Sequence, residues 1–435
     1  MISATVERQD LHRASKIILA SSGAPSLPIT AQAVVSFDPS RQAVTIRASN
    51  LETEAVWSMP SSEVNGTGEF TLPAKLLARS VAAMNGLSAT FTVNTGKATS
   101  RLSVLRQEVA FGGADLTAMP PFLSRARQQA VAWEATFATN QFLAALRAAG
   151  PTAATEEYRP ILQAVKIVPV DGAHADFVAA DGFRLCRAVV PIVNATPSDG
   201  HDLAIHLPRG IVKLATTIAA MKLDKTVTVK IVTGIPGSDE DSPTFRYVVV
   251  QCGPCEVWSH PIMGTYLNYQ QLIPKAFSVA AEVAGFDIKA SVKLLKATKS
   301  SAQARSSIVR LELDERSQRV VLSSKDPSES SQARVVIPAT VEVDDKILPD
   351  VYAGRIAVDV EYLAGAVEAC EDKAVVKIML SGGPSSPLSV QHVVKGVRVD
   401  SVVMPMFVQW ETGWRSENME LFKLTAREQQ SLAVA

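Results

Sequence analysis

The sequence is poor in cysteine, has no net charge and has no long apolar run, and each lack excludes a class of protein. Four cysteines among 435 residues cannot make a disulfide framework, so a reducing cytosol is the simplest location. Lys+Arg and Asp+Glu both number 43, so the chain as a whole is not a polycation. Any contact with nucleic acid must then come from a local basic surface. No stretch reaches about 18 uninterrupted apolar residues, so no membrane span is expected. The segment Met1 to Asp10 carries charges where a secretion signal needs an apolar core. No Walker motif, nucleophile elbow or paired-carboxylate pattern appears, so neither an enzyme nor a cofactor is expected.

One pattern imitates chemistry. Cys252-Gly253-Pro254-Cys255 spells a thioredoxin-type motif, but that chemistry needs its first cysteine at a helix N-terminus, where the thiolate is stabilised. Here β-rich Tyr247 to Val250 precedes it and Glu256-Val257-Trp258 follows, so Gly-Pro reads as a hairpin turn. A zinc site would need a second ligand pair, and none is present. His201 and His206 flank Asp202 as a surface pair. No metal is expected.

What is there is ordinary globular material, 47% apolar and 20% charged, enough for about three domains at roughly 150 residues each. Val6 to Ser22 has apolar residues on one arc and His12, Arg13 and Lys16 on another, which predicts an amphipathic helix stopped by Gly23 and Pro25. Strand-like runs follow at 33–37 and 43–48, separated by an Asp-Pro-Ser turn, and at 70–72. Pro73 then opens a helix from Ala74 to Met84. The order returns twice: helices at 141–149, from Leu207-Pro208 to Lys222, at 286–299 and at 360–369, with β-rich runs between them. Phe70-Thr71-Leu72-Pro73-Ala74-Lys75 aligns with Ile205-His206-Leu207-Pro208-Arg209-Gly210, and Ile356 to Leu363 is a weaker third copy. This is an internal repeat. It predicts an α+β protein of three helix–strands–helix–strands modules, with boundaries near Arg127 and Met263: 1–126, 127–262 and 263–408, then an extension over 409–435.

With the repeat in place, several short motifs in order resemble the β sliding clamp family, the beta subunit of bacterial DNA polymerase III. They are Glu157-Tyr158-Arg159-Pro160-Ile161-Leu162, Ala180-Asp181-Gly182-Phe183-Arg184-Leu185, the 264–274 stretch from Gly264 to Pro274, Ser386-Pro387-Leu388-Ser389, and Val402-Val403-Met404-Pro405-Met406. The resemblance covers roughly residues 1 to 408. It implies a head-to-tail homodimeric ring of six domains, with helices lining the hole and sheets outside. Such a ring encircles duplex DNA without reading its sequence. It is a processivity factor, loaded by a separate clamp loader, that tethers the replicative DNA polymerase and repair proteins.

A contact blind to sequence needs cations aimed at phosphates. On the expected helices these are Arg13, Lys16, Lys75, Arg79, Arg147, Arg209, Lys213, Lys289, Lys293 and Lys296; the last helix is acidic, with Glu361, Glu368 and Glu371. Alternatively these are solvated helix faces. The resemblance also implies a partner-peptide groove, carried over position by position to Leu162, Gly182, Phe183, Arg184, Leu185, Leu272, Ser389, Val402, Met404, Pro405 and Met406. Phe183 stands in place of the family's usual histidine, Ala180 of threonine, Leu267 of proline and Gln271 of a frequent arginine, so a greasier rim is expected. At the ring interface it implies Leu102 and Val104 on one side and the polar Ser300 and Ser301 on the other.

Three readings remain open: a sliding clamp, a clamp-like paralogue that binds partners without a working ring, and a thiol–disulfide enzyme using Cys252 and Cys255. Past the family's usual end lies Asn418-Met419-Glu420-Leu421-Phe422, whose spacing resembles the clamp-binding peptide of partners. It is either a segment that docks in the groove or an amphipathic terminal helix.

Overall fold

The computed structural model describes residues 2–24, 26–94, 99–196, 205–235, 245–297, 308–325, 332–344, 354–381 and 386–408. They carry three rounds of one element order. The first round is β1 (Ile2–Glu7), α1 (Arg8–Ser21), β2 (Gln32–Asp38), β3 (Ala43–Ser49), β4 (Thr53–Asn65), β5 (Gly68–Pro73), α2 (Ala74–Ala83), β6 (Ser88–Asn94), β7 (Thr99–Val104) and β8 (Gln107–Gly112). The second is β9 (Arg127–Ala138), α3 (Thr139–Ala149), β10 (Ala164–Asp171), β11 (His174–Ala180), β12 (Arg184–Pro191), β13 (Asn194–Ala195), β14 (Ile205–Pro208), α4 (Arg209–Ala220), β15 (Thr226–Ile235), β16 (Phe245–Cys252) and β17 (Cys255–Ser259). The third is β18 (Val279–Ala284), α5 (Gly285–Ala297), β19 (Ile308–Asp314), β20 (Arg319–Lys325), β21 (Gln332–Pro338), β22 (Thr340–Val343), β23 (Arg355–Asp359), α6 (Val360–Glu368), β24 (Val375–Leu380), β25 (Leu388–Val394) and β26 (Val397–Val403).

The rounds agree in pairing as well as in order. The strand before each first helix pairs antiparallel with the strand after each second helix: β1 with β6, β9 with β15, β18 with β24. The strand after each first helix pairs with the strand that leads into the second: β2 with β5, β10 with β14, β19 with β23. The second helices start by two chemical routes. Pro73 and Pro208 stand at the caps of α2 and α4, where a missing N–H costs nothing. In the third round Asp359 stands there instead, and its carboxylate accepts from the Glu361 N–H at 2.7 Å.

The described chain divides into two compact units. One comprises Met1–Leu146, Glu156–Asp176 and Val190–Thr265; the other comprises Arg147–Thr155, Phe177–Val189 and the chain from Tyr266 onward. In the first unit, β17 pairs with β4, so the last strand of the second round joins the fourth strand of the first. β4 was not foreseen: Pro60 and two serines interrupt its apolar pattern. It turns there, leaving β3 at Pro60 and joining β1 from Ser61 onward. In the second unit the same rule repeats, with β26 pairing to β12. The core of that unit lies between α5, α6 and the inner face of the sheet, with Val279, Ile288, Val292, Leu363, Val367, Ile378, Val390 and Val403 among its buried side chains.

One expectation is corrected and another, the Cys252–Cys255 hairpin turn, is met. Leu102 and Val104 are 0% and 1% exposed, because the alternation of β7 turns both inward. The exposed apolar side chains at this end are Leu87 and Leu105, at 87% and 83%. Cys252 and Cys255 face each other across the β16–β17 hairpin, both buried, with Gly253 at φ +56° in the turn. Burial pushes both thiols up, opposite to what a redox thiolate needs. Ser300, Ser301 and the 418–422 motif lie outside the described residues.

Candidate peptide-binding groove

All the expected groove residues except the buried Leu162, which belongs to the first unit, belong to the second unit. The site is built on the turn between β11 and β12. One Asp181 oxygen accepts the N–H groups of Phe183 and Arg184 at 2.9 and 3.0 Å; the other accepts Nε of Arg184 at 2.8 Å. Gly182 sits at φ +94°, a conformation that favours glycine. Asp-Gly is thus the residue pair that this turn requires, and it fixes where Phe183 and Arg184 leave the backbone.

The second wall is tied to the first through backbone. Met404 N–H donates to the Phe183 carbonyl at 2.9 Å, and Met406 N–H donates to the Ala357 carbonyl of β23 at 2.7 Å. Arg184 does not reach into solvent. Its Nη2 donates to the Pro151 carbonyl at 2.8 Å, and its guanidinium lies 5.0 Å from the centre of the Tyr362 ring. A Cβ on Gly365, one turn further along α6, would stand 2.6 Å from Nη1 of Arg184, so a larger residue there would push the guanidinium aside. Phe183 stacks on the same ring, at 6.1 Å and 17°. Tyr362 is therefore the hinge pin of the site. Tyr362 lies within the third repeat copy, and its one-turn spacing from Gly365 was the available signal.

The outcome is a rim of large apolar side chains: Phe183, Leu272 and Met404 are 56%, 50% and 46% exposed. Phe407, also missed, is 99% exposed and directly follows the Met-Pro-Met cluster. Leu185, Ser389 and Val402 form the floor and are buried. They belong to the outer face of the sheet, where Leu185, Val402, Ser389, Met379 and Ala280 lie opposite one another across β12, β26, β25, β24 and β18. The 273–277 segment covers this face and leaves a cavity of about 430 Å³, lined also by Ile273, Pro274 and Phe277. Such a volume suits one or two side chains of a peptide.

The expected DNA-facing cations are on helices, and most are exposed. Arg13 and Lys16 project from α1, Lys75 and Arg79 from α2, Arg147 from α3, Arg209 and Lys213 from α4, and Lys293 from α5. Two are engaged. Lys289 pairs with Asp372 and donates to the Cys370 carbonyl at 3.0 Å, and Lys296 pairs with Glu361 of α6 at 2.7 Å. All four cysteines are buried and free, with burial pushing Cys186 up to about 12. No group of three or more metal-ligating side chains occurs among the described residues.

This fold has counterparts among known proteins. The beta sliding clamp of Synechococcus elongatus is 26% identical over 390 residues, spanning 88% of this chain and 92% of that protein. The chain is similar to the β sliding clamps. Its fold matches that of the DNA polymerase III beta subunit of Thermotoga maritima, with a TM-score of 0.75 at 17% identity over 94% of this chain and 100% of the other. The Bacillus subtilis DNA polymerase sliding clamp matches with a TM-score of 0.75 at 16% identity, over the same shares. The sliding clamp of Bartonella birtlesii, solved bound to griselimycin, gives 0.75 at 19% identity, over 94% of this chain and 100% of that one. No protein-family model matches the chain. In this clamp fold, three rounds of sheet and helix pair supply the frame, and no helix among the described residues is long and apolar enough to cross a membrane.

Proposed function

We propose that this protein is a DNA sliding clamp, a non-enzymatic processivity factor. In this reading three clamp domains, 1–126, 127–262 and 263–408, come from each of two copies, and the six close head to tail around duplex DNA in the cytoplasm. The replicative polymerase, clamp loader and repair proteins are held through the Phe183–Met404 groove. The observation that carries the ring is the joining rule. The last strand of each later round pairs with the fourth strand of the round before it, β17 with β4 and β26 with β12. Two strands are left over among the described residues: β8, the last of the first round, and β21, the fourth of the third. The same pairing between two copies, β8 to β21, joins them with no new kind of contact, and applying it twice closes the assembly.

The DNA contact rests on Arg13, Lys16, Lys75, Arg79, Arg147, Arg209, Lys213 and Lys293. Each neutralised phosphate adds to the salt dependence of binding. Lys289 and Lys296 are already held by carboxylates, so they contribute less. That engagement favours the second reading, a groove-bearing paralogue without a working ring. Retention separates the two. A clamp loaded with its loader and ATP stays on a nicked circular plasmid through a high-salt wash and is lost when the plasmid is linearised; a paralogue is lost from both. For the tail we propose that the 418–422 segment competes for the groove. Deleting the residues after Val408 then raises affinity for a clamp-binding peptide several-fold, and unchanged affinity rejects the idea.

A further inference from the structure

The connector that follows each round starts in the same way. Thr71, His206 and Ala357 each stand two residues before the cap of a second helix. Each is tied to the chain that has just left the last strand of its round. Thr71 Oγ1 donates to the Ala114 carbonyl at 2.6 Å, Ile262 N–H donates to the His206 carbonyl at 3.4 Å, and Met406 N–H donates to the Ala357 carbonyl at 2.7 Å. From there the first two connectors run on to a junction. The chain after β8 brings Leu123 and Ala126 to β4–β17, and the chain after β17 brings Ile273, Pro274 and Phe277 to β12–β26. Each connector thus covers the place where the fourth strand of its own round meets the last strand of the next. The third connector begins alike and has 27 residues beyond Val408.

The surface that such a cover would meet is in place beside β21. Thr71, Val34, Arg47 and Val56 form one rank across β5, β2, β3 and β4. Ala357, Arg310, Ser323 and Arg334 form the matching rank across β23, β19, β20 and β21. In the first rank Val56 packs with Leu123 and Ala126, and the Arg47 guanidinium lies 5.9 Å from the centre of the Phe122 ring. Arg334 holds the place of Val56, and its Nε is buried without a hydrogen bond. The same face carries Arg310, Arg319, Arg334 and Arg355. Its acids, Glu312 and Asp314, are paired with Arg355 at 3.4 Å and Arg319 at 3.3 Å, so the face is cationic. Residues 409–421 have the opposite balance, with Glu411, Glu417 and Glu420 against Arg415. Phe122 and Leu123 come 10 and 11 residues after β8 ends, and Ile273 and Phe277 come 14 and 18 residues after β17 ends. Counted from the end of β26, the same window is 413–421, which holds Trp414, Met419 and Leu421.

We propose that residues 409–421 of each copy cover the junction of its own β21 with β8 of a second copy, with Trp414 over Arg334 as Phe122 lies over Arg47. A guanidinium against an aromatic face and glutamates beside an arginine cluster supply the attraction. This rests on the β8–β21 reading above and adds to it a strap that holds the two copies from outside. The 418–422 motif overlaps the window, so the junction and the groove compete for one segment.

Sedimentation velocity over a dilution series tests it, by comparing the dimer dissociation constant of the full chain with that of a chain ended after Val408. A ring has two such junctions. At roughly tenfold each, as for one aromatic anchor, truncation weakens the dimer about 100-fold. Trp414→Ser with Leu421→Ser in the full chain gives a similar loss. The loss on truncation shrinks several-fold in an Arg334→Gln background and is unchanged in a Phe183→Ala, Met404→Ala background. Equal dissociation constants for the full and truncated chains overturn the cover and leave the β8–β21 pairing standing. A truncation effect that survives Arg334→Gln but vanishes in the groove variant places the segment in the groove and also overturns the cover. A single-chain mass for both chains at every concentration removes the β8–β21 pairing, and this inference with it.

Discussion

Two strand junctions built on one rule end up as opposite surfaces. At β4–β17, Trp258 lies opposite Glu54 and packs with Val56, Val232, Tyr247 and Val249, while Leu123 and Ala126 from the covering segment fill the remaining space. The carboxylate there is closed off: Ser124 gives Glu54 both its hydroxyl and its N–H, the latter at 3.2 Å, and burial pushes the acid up. At β12–β26 the covering segment carries Ile273, Pro274 and Phe277, stops short of the sheet and leaves the cavity of about 430 Å³. The carboxylate there, Asp400, is held by two arginines and a glutamine and lines the cavity. Pairing therefore makes the junction, and the cover decides whether it is filled core or open cavity.

The largest break in this comparison is at the filled junction. Trp258→Ala should cost about 3–5 kcal/mol, the range for emptying a large buried aromatic site. Urea denaturation should detect it, with affinity for a groove peptide unchanged wherever the chain remains folded. Acidification should act on the other unit. His392 of β25 is buried, and desolvation, aided by Lys289 and opposed by Asp400, lowers it to about 4. Its folded value lies below its unfolded one, so the unfolded chain takes up a proton first. Stability should fall as pH drops from about 6.5 to about 4, by roughly 3 kcal/mol for this group. The pH slope of the urea midpoint should flatten in His392→Leu.

Next comes the open junction. Phe183→Ala with Met404→Ala should weaken a clamp-binding peptide about 10- to 100-fold, as loss of exposed apolar anchors does, and leave the melting temperature within a degree or two. A matching loss of stability would place these side chains in the core. The smallest effect belongs to the hairpin cysteines. Cys252→Ala with Cys255→Ala should cost about 1–2 kcal/mol of packing and leave retention on circular DNA intact; loss of retention with the fold preserved would revive a role for the thiols.

The helices and their threefold order were legible because Leu-Pro and amphipathic spacing are local signals. The strand before each first helix was not, since β1 and β18 are short and take their register from partners far along the chain. β4 was hidden by Pro60, which marks the place where it changes partners. The groove's Asp181-Gly182 turn and Met404 were legible from the family resemblance, but Tyr362 was not. Its role comes from Arg184 lying across Gly365, a tertiary fact. Leu102 and Val104 show the reverse error, in which apolar residues assigned to an interface were facing their own core. The sequence could give the alternation of β7 but not which face was inside.

The central claim is that β8 and β21 are complementary edges of two copies. Sedimentation equilibrium of the purified chain at micromolar concentration tests it most directly. The account predicts a species of twice the 46.5 kDa chain mass, and a mass that stays at that of a single chain would contradict it.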